Sequence, residues 1–102
     1  MEDRLLRRLA ELNTKDCLWM YILRIIRDGP AHAYTLRKEI ERRFGFRPGT
    51  VTAYRVLYSL RAAGFVTTGS EGRRVVYSLT PKGRRALSEA VGFYREQATR
   101  LK

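Results

Sequence analysis

The sequence is poor in the residues that several common kinds of protein need. A single cysteine, Cys17, excludes an intrachain disulfide framework and a four-ligand zinc site. The only histidine, His32, has no cysteine or carboxylate cluster at ligand spacing near it, and its expected task is to stitch a turn between two helices. Three prolines and eight glycines are too few for a collagen-like or strongly disordered chain. The longest apolar run, residues 17–23, is far shorter than a bilayer span, and no secretory leader is read at the N-terminus. A cytoplasmic protein with no membrane role is therefore expected. No GxSxG, HExxH, Walker or dinucleotide glycine pattern occurs, so neither an enzyme nor a cofactor is expected. Acidic residues are scarce as well. Ten Asp and Glu stand against twenty-one Lys and Arg, leaving a formal charge of +11.

Such an excess favours a polyanionic partner, and double-stranded DNA is the expectation. Seventeen of the basic residues are arginine, whose planar fork suits phosphates and base edges better than a lysine ammonium. At 102 residues, with 44% apolar and 30% charged side chains, the chain has room for one globular domain.

Residues 2–12 carry Leu5, Leu6, Leu9 and Leu12 at helical spacing, and a helix this short needs something to dock on. Asn13, with Asp16 three residues on, is placed to cap the next helix. That helix, about 14–28, is apolar on nearly every side near Trp19 and ends at Gly29 and Pro30, a pattern that points to burial between a core and a second chain. A third helix is expected over 34–44, stopped by Gly45. Thr50 opens a fourth that runs through Ala63, with Tyr54, Leu57 and Leu60 as its inward residues. Residues 65–68 and 73–79 read as two strands joined by a turn at GSEG. Thr80 then caps a last helix over about 81–101, with Leu87, Val91, Tyr94, Ala98 and Leu101 along one face. The predicted class is mainly α with a small antiparallel β-hairpin, a winged helix-turn-helix with extra helices at both ends.

Two helices joined by a compact turn place the second of them in a major groove. Thr50, Thr52, Ala53 and Arg55 are the expected groove-facing residues, with the Tyr54 hydroxyl reaching a phosphate. Arg73 and Arg74 are expected to touch the sugar-phosphate backbone beside them. The first and last helices, with Trp19 of the second, should pair two chains into a homodimer through Leu5, Leu9, Trp19, Leu87, Val91, Tyr94, Ala98 and Leu101.

Three segments also resemble the PadR family of transcriptional regulators: ILRIIRDGPAHAYTLRKEIERRF at 22–44, YRVLYSLRAAGFV at 54–66 and GRRVVYSLTPKGRRAL at 72–87. Ala33 stands where members of the family commonly carry glycine. PGT at 48–50 lies further upstream of Tyr54 than is usual. The third segment is also similar to MarR-type regulators. The resemblance implies a winged-helix dimer that represses by occupying a palindromic operator. It also implies a small aromatic effector, for which Trp19, Tyr21, Phe93 and Tyr94 could line a pocket, although packing of the dimer is the stronger use for them. The alternatives are an architectural, weakly specific DNA-binding protein of the chromatin kind, and a winged-helix module that binds protein.

Overall fold

The apolar run of residues 17–23 becomes the centre of the fold. In the computed structural model, which describes residues 2–102, the chain runs in the order α1 (Glu2–Asn13), a 3-10 turn (Lys15–Cys17), α2 (Leu18–Arg27), α3 (Ala33–Phe44), α4 (Thr50–Ala62), β1 (Val66–Glu71), β2 (Arg74–Leu79) and α5 (Pro81–Arg100). α2 buries Leu18, Ile22, Leu23, Ile25 and Ile26, a broader stripe than a surface helix carries. Leu36 and Ile40 of α3, Leu57 and Leu60 of α4, Val66 of β1 and Leu87 of α5 close around it. Cutting one such Leu or Ile back to Ala typically costs about 2–5 kcal/mol. Much of the apolar character of α2 is thus spent inside the chain. Leu87, expected at a dimer seam, is 4% exposed and belongs to this core, because α5 packs against α2 there.

Asp28, one residue past α2, accepts hydrogen bonds from Arg24 at 3.0 Å and Arg43 at 2.9 Å, which lashes the end of α2 to the end of α3. Those bonds, Arg24 first, hold its carboxyl below the ordinary carboxylate range. The link from α3 to α4 is held by the Arg37 Nε, which donates to the carbonyl of buried Pro48 at 3.0 Å.

The strands pair antiparallel from Val66 opposite Leu79 to Glu71 opposite Arg74. The turn is therefore Gly72–Arg73. The GSEG turn expected from sequence gives its first three residues to β1. Gly72 has φ +63° while Arg73 stays at negative φ, the pattern of a two-residue turn that needs a left-handed residue only at its first position. Arg73 consequently sits at the tip of the wing and Arg74 opens β2. A two-stranded ribbon is marginal by itself. Here Ala31, between α2 and α3, exchanges both backbone hydrogen bonds with Tyr77, at 3.1 and 2.9 Å, and serves as a one-residue third strand.

The Thr80 hydroxyl caps α5 by accepting from the Gly83 N–H at 3.1 Å, and it donates to the Gly64 carbonyl at 2.7 Å. Gly83 lies against the start of the wing, where a Cβ would fall 2.1 Å from the Phe65 carbonyl oxygen. No larger residue fits unless the backbone moves.

Asn13 does not cap the next helix. α1 runs one residue further than the leucine spacing suggests and takes Asn13 into its last turn, where its amide donates to the Leu9 carbonyl at 2.7 Å. Its remaining groups anchor α1: the Tyr94 hydroxyl donates to Asn13 Oδ1 at 2.6 Å and the Tyr21 hydroxyl to its carbonyl at 2.5 Å. Burial pushes both phenols above their ordinary pKa, so they stay protonated donors at neutral pH. Beyond this anchor α1 stands clear of the core with Leu5, Leu6, Leu9 and Leu12 exposed, and the molecule is 49 Å long by 26 by 21 Å.

Candidate nucleic-acid interface

Three parts of the chain converge on one face. The N-terminus of α3 supplies His32, Ala33 and Tyr34, α4 supplies Val51, Tyr54, Arg55 and Tyr58, and the wing supplies Arg73, Arg74 and Val75. A groove of about 420 Å³ runs between α3, Tyr54 and the wing arginines, and a second of about 460 Å³ runs along α4 past Val51, Arg55, Tyr58 and Arg61. Tyr54 and Tyr77 wall both. Burial, with a further push from neighbouring Tyr54 and an opposing pull from Arg61, raises the Tyr77 pKa, so this half-buried phenol between wing and helix is neutral.

His32 fixes the wing against α3. Its Nδ1 donates to the Val75 carbonyl at 3.3 Å, and its Nε2 lies 3.8 Å from the Glu71 carboxylate. It precedes α3, as expected, but its partners are on the hairpin rather than on another helix.

Gly49, which has no side chain to offer, occupies the N-cap of α4, and the first backbone bond into that position is from Ala53 to the Gly49 carbonyl at 2.9 Å. The N–H groups of the first turn are therefore open to an acceptor, and the helix dipole favours an anionic one. Arg55 stands one turn further along, Arg61 in the last turn of α4, and Arg73 and Arg74 across the groove on the wing, and all four are exposed. Among the described residues none of the four has a carboxylate within ion-pair distance, whereas Arg24, Arg42, Arg43, Arg47 and Arg100 are each paired. Every arginine of α4 and the wing is thus without an acidic partner, and together they line the two grooves.

Of the residues expected at the groove all but one are exposed. Thr50, Thr52 and Arg55 are exposed, and Tyr54 is more exposed than its expected inward place allows. Ala53 is 3% exposed and packs inward, one turn before Leu57, so its methyl is unavailable to a base. The inward row is Ala53, Leu57 and Leu60, which turns Val51, Tyr54, Arg55 and Tyr58 outward at i, i+3, i+4 and i+7. Val51, Tyr58 and Tyr34 are the site candidates that sequence reasoning passed over. The outward row itself was the available signal, since two apolar-type stripes on one helix cannot both be core. Of the expected seam residues, Leu5, Leu9, Val91, Ala98 and Leu101 are exposed, as is Tyr94 in part, and Trp19 is half-buried.

Among the described residues, no group of His, Cys, Asp and Glu is placed to hold a metal ion, and no helix is long and apolar enough to cross a membrane. A helix-turn-helix followed by a hairpin that flanks its second helix defines the winged-helix class of DNA-binding proteins. Solved structures bear out the fold. A transcriptional regulator from Clostridium thermocellum matches with a TM-score of 0.74 at 21% identity, covering 81% of this chain and 84% of that one. A PadR family transcription regulator from Clostridium difficile matches at 0.73 and 20%, covering 79% and 90%. Bacillus subtilis PadR, solved in complex with operator DNA, matches at 0.66 and 24%, covering 76% of this chain and 48% of that one. No curated protein matches the sequence. The sequence profile of the transcriptional regulator PadR-like family matches residues 22–89, and the chain belongs to that family. It is a DNA-binding transcriptional regulator and not an enzyme.

Proposed function

We propose that the protein is a homodimeric repressor that occupies a palindromic operator. The whole chain forms one domain in this reading, with α4 in the major groove, the arginines of the wing on the backbone, and α1 with the far half of α5 pairing two copies. The observation that carries it is the pair of adjoining grooves along α4 and the wing, lined by Arg55, Arg61, Arg73 and Arg74 and by no carboxylate. Thr50, Thr52 and Arg55 face the bases, while Tyr54, Arg73 and Arg74 hold phosphates. Leu5, Leu9, Val91, Ala98 and Leu101 cover one another across a two-fold axis, which removes an apolar surface that a monomer would leave in water. The aromatic groove beside Trp19 and Phe93 continues this seam, so packing of the second chain, rather than a small aromatic effector, is its use in our reading.

A binding selection on random duplexes tests this. It should enrich an inverted repeat with half-sites about 34 Å apart, the spacing of a two-fold pair of reading helices. Retention of all duplexes with a steep salt dependence and no enriched sequence would instead mark a weakly specific DNA-coating protein. Retention of none at low salt would mark a protein-binding module.

A further inference from the structure

Charge accounts for the arginines of the reading face but not for Val51. This β-branched side chain stands in the first turn of α4 and is 71% exposed. Helix formation gives no reason for it, since valine is a poorer helix former than alanine. Packing gives none either, because it points away from the inward row of Ala53 and Leu57. It starts the outward row that continues through Tyr54, Arg55 and Tyr58, and it shares its groove with the guanidinium groups of Arg55 and Arg61 and with no carboxylate. That setting matches a polyanion and argues against an apolar protein surface.

A recognition helix meets base edges with its N-terminal residues. In a major groove the apolar group presented at a base edge is the C5-methyl of thymine. We propose that Val51 reads one thymine in each half-site by seating its isopropyl group on that methyl, beside the contacts made by Arg55. The inference rests on the DNA-reading role proposed for α4. Because it concerns the loss of one methyl contact, about a fourfold change in affinity per half-site is expected.

The test replaces each thymine of the selected duplex in turn by deoxyuridine, which keeps base pairing and the hydrogen-bond pattern and removes only the methyl. Wild type, Val51→Ala and Arg55→Ala are titrated on every duplex at one salt concentration, with thermal melting to check folding of the variants. One thymine per half-site should weaken wild type about fourfold on replacement. Val51→Ala should bind the thymine and deoxyuridine duplexes alike, while Arg55→Ala should still distinguish them. Wild type indifferent to every replacement, or Val51→Ala that keeps the full discrimination, would overturn the inference and leave the reading of DNA by α4 standing. Binding by Val51→Ala equal to wild type on all duplexes would point to a protein partner on this stripe and would overturn it too. Failure to enrich any duplex would remove the DNA reading itself, and this inference with it.

Discussion

Around α4 and the wing, exposed aliphatic and aromatic side chains stand among arginines that have no acidic partner; along α1 and the far half of α5 they form continuous helical rows. Val51, Tyr54 and Tyr58 alternate with Arg55 and Arg61 on the first surface. Leu5, Leu9 and Leu12 on α1, and Val91, Tyr94 and Leu101 on α5, make up the second. The difference shows that an exposed apolar residue has no single meaning. In our reading, in a groove beside the wing and open helix N–H groups it faces a polyanion, whereas in an unbroken row on an outlying helix it faces another row like itself. Between them in the chain, α2 and α3 carry Arg24, Arg42 and Arg43, which Asp28 and Glu39 neutralise.

Both surfaces hang from the junction of α5 with the wing, so the largest effect should come from there. Gly83→Ala must move either the Phe65 carbonyl or the start of α5, and an overpacked site of this kind costs about 3 kcal/mol. Urea unfolding should show the loss, and both DNA binding and self-association should suffer with it.

The seam can be broken without the junction. Leu5→Asp with Leu9→Asp should leave a folded monomer by sedimentation, because both side chains are exposed in the single chain. The operator should then be bound at least about a hundredfold more weakly, as each chain holds only one half-site and avidity is lost.

The reading face can be divided further. Arg55→Ala should cost about 1–3 kcal/mol on the enriched duplex and far less on scrambled DNA, since a fork on guanine is specific. Arg73→Ala with Arg74→Ala should weaken both duplexes alike and lower the salt slope by about one to two units, as phosphate contacts do. Equal losses from Arg55→Ala on both duplexes would move it to the backbone class and leave Thr50 and Thr52 as readers.

Legibility from sequence differed between the two surfaces for a physical reason. Leucine rows and terminating glycines announce helices whatever they pack on, so the order of elements, the cap at Thr80 and the stop at Gly45 could be read directly. The inward face of α4 could not, because its first buried position is a small residue, Ala53, while a larger aromatic, Tyr54, sits one position away and mimics core. The apolar row of α5 hid a change of role along its length: Leu87 is core, and from Val91 onward the same stripe is exposed. The wing turn was misplaced because glycines stand at both ends of GSEG, and only the strand register shows that Gly72 is the one that turns.

The smallest effect should lie between the two surfaces. Asp28 has its pKa depressed by Arg24 and Arg43, so its ion pairs stabilise the fold above the unfolded carboxylate pKa of about 4, and this contribution fades as pH falls through the lower folded value. Asp28→Asn should lower the melting temperature slightly at neutral pH, and the gap to wild type should close on acidification. A constant gap would mean that the asparagine loses packing rather than charge.

A two-fold repressor is defined by how many chains sit on one operator and in what symmetry. Sedimentation of the protein with the enriched duplex, at concentrations above the binding midpoint, measures this. Two chains of 11.9 kDa per duplex are predicted, falling to one when half of the inverted repeat is scrambled in the Leu5→Asp, Leu9→Asp variant. A wild-type complex holding one chain, or a number that grows with duplex length regardless of sequence, would contradict it.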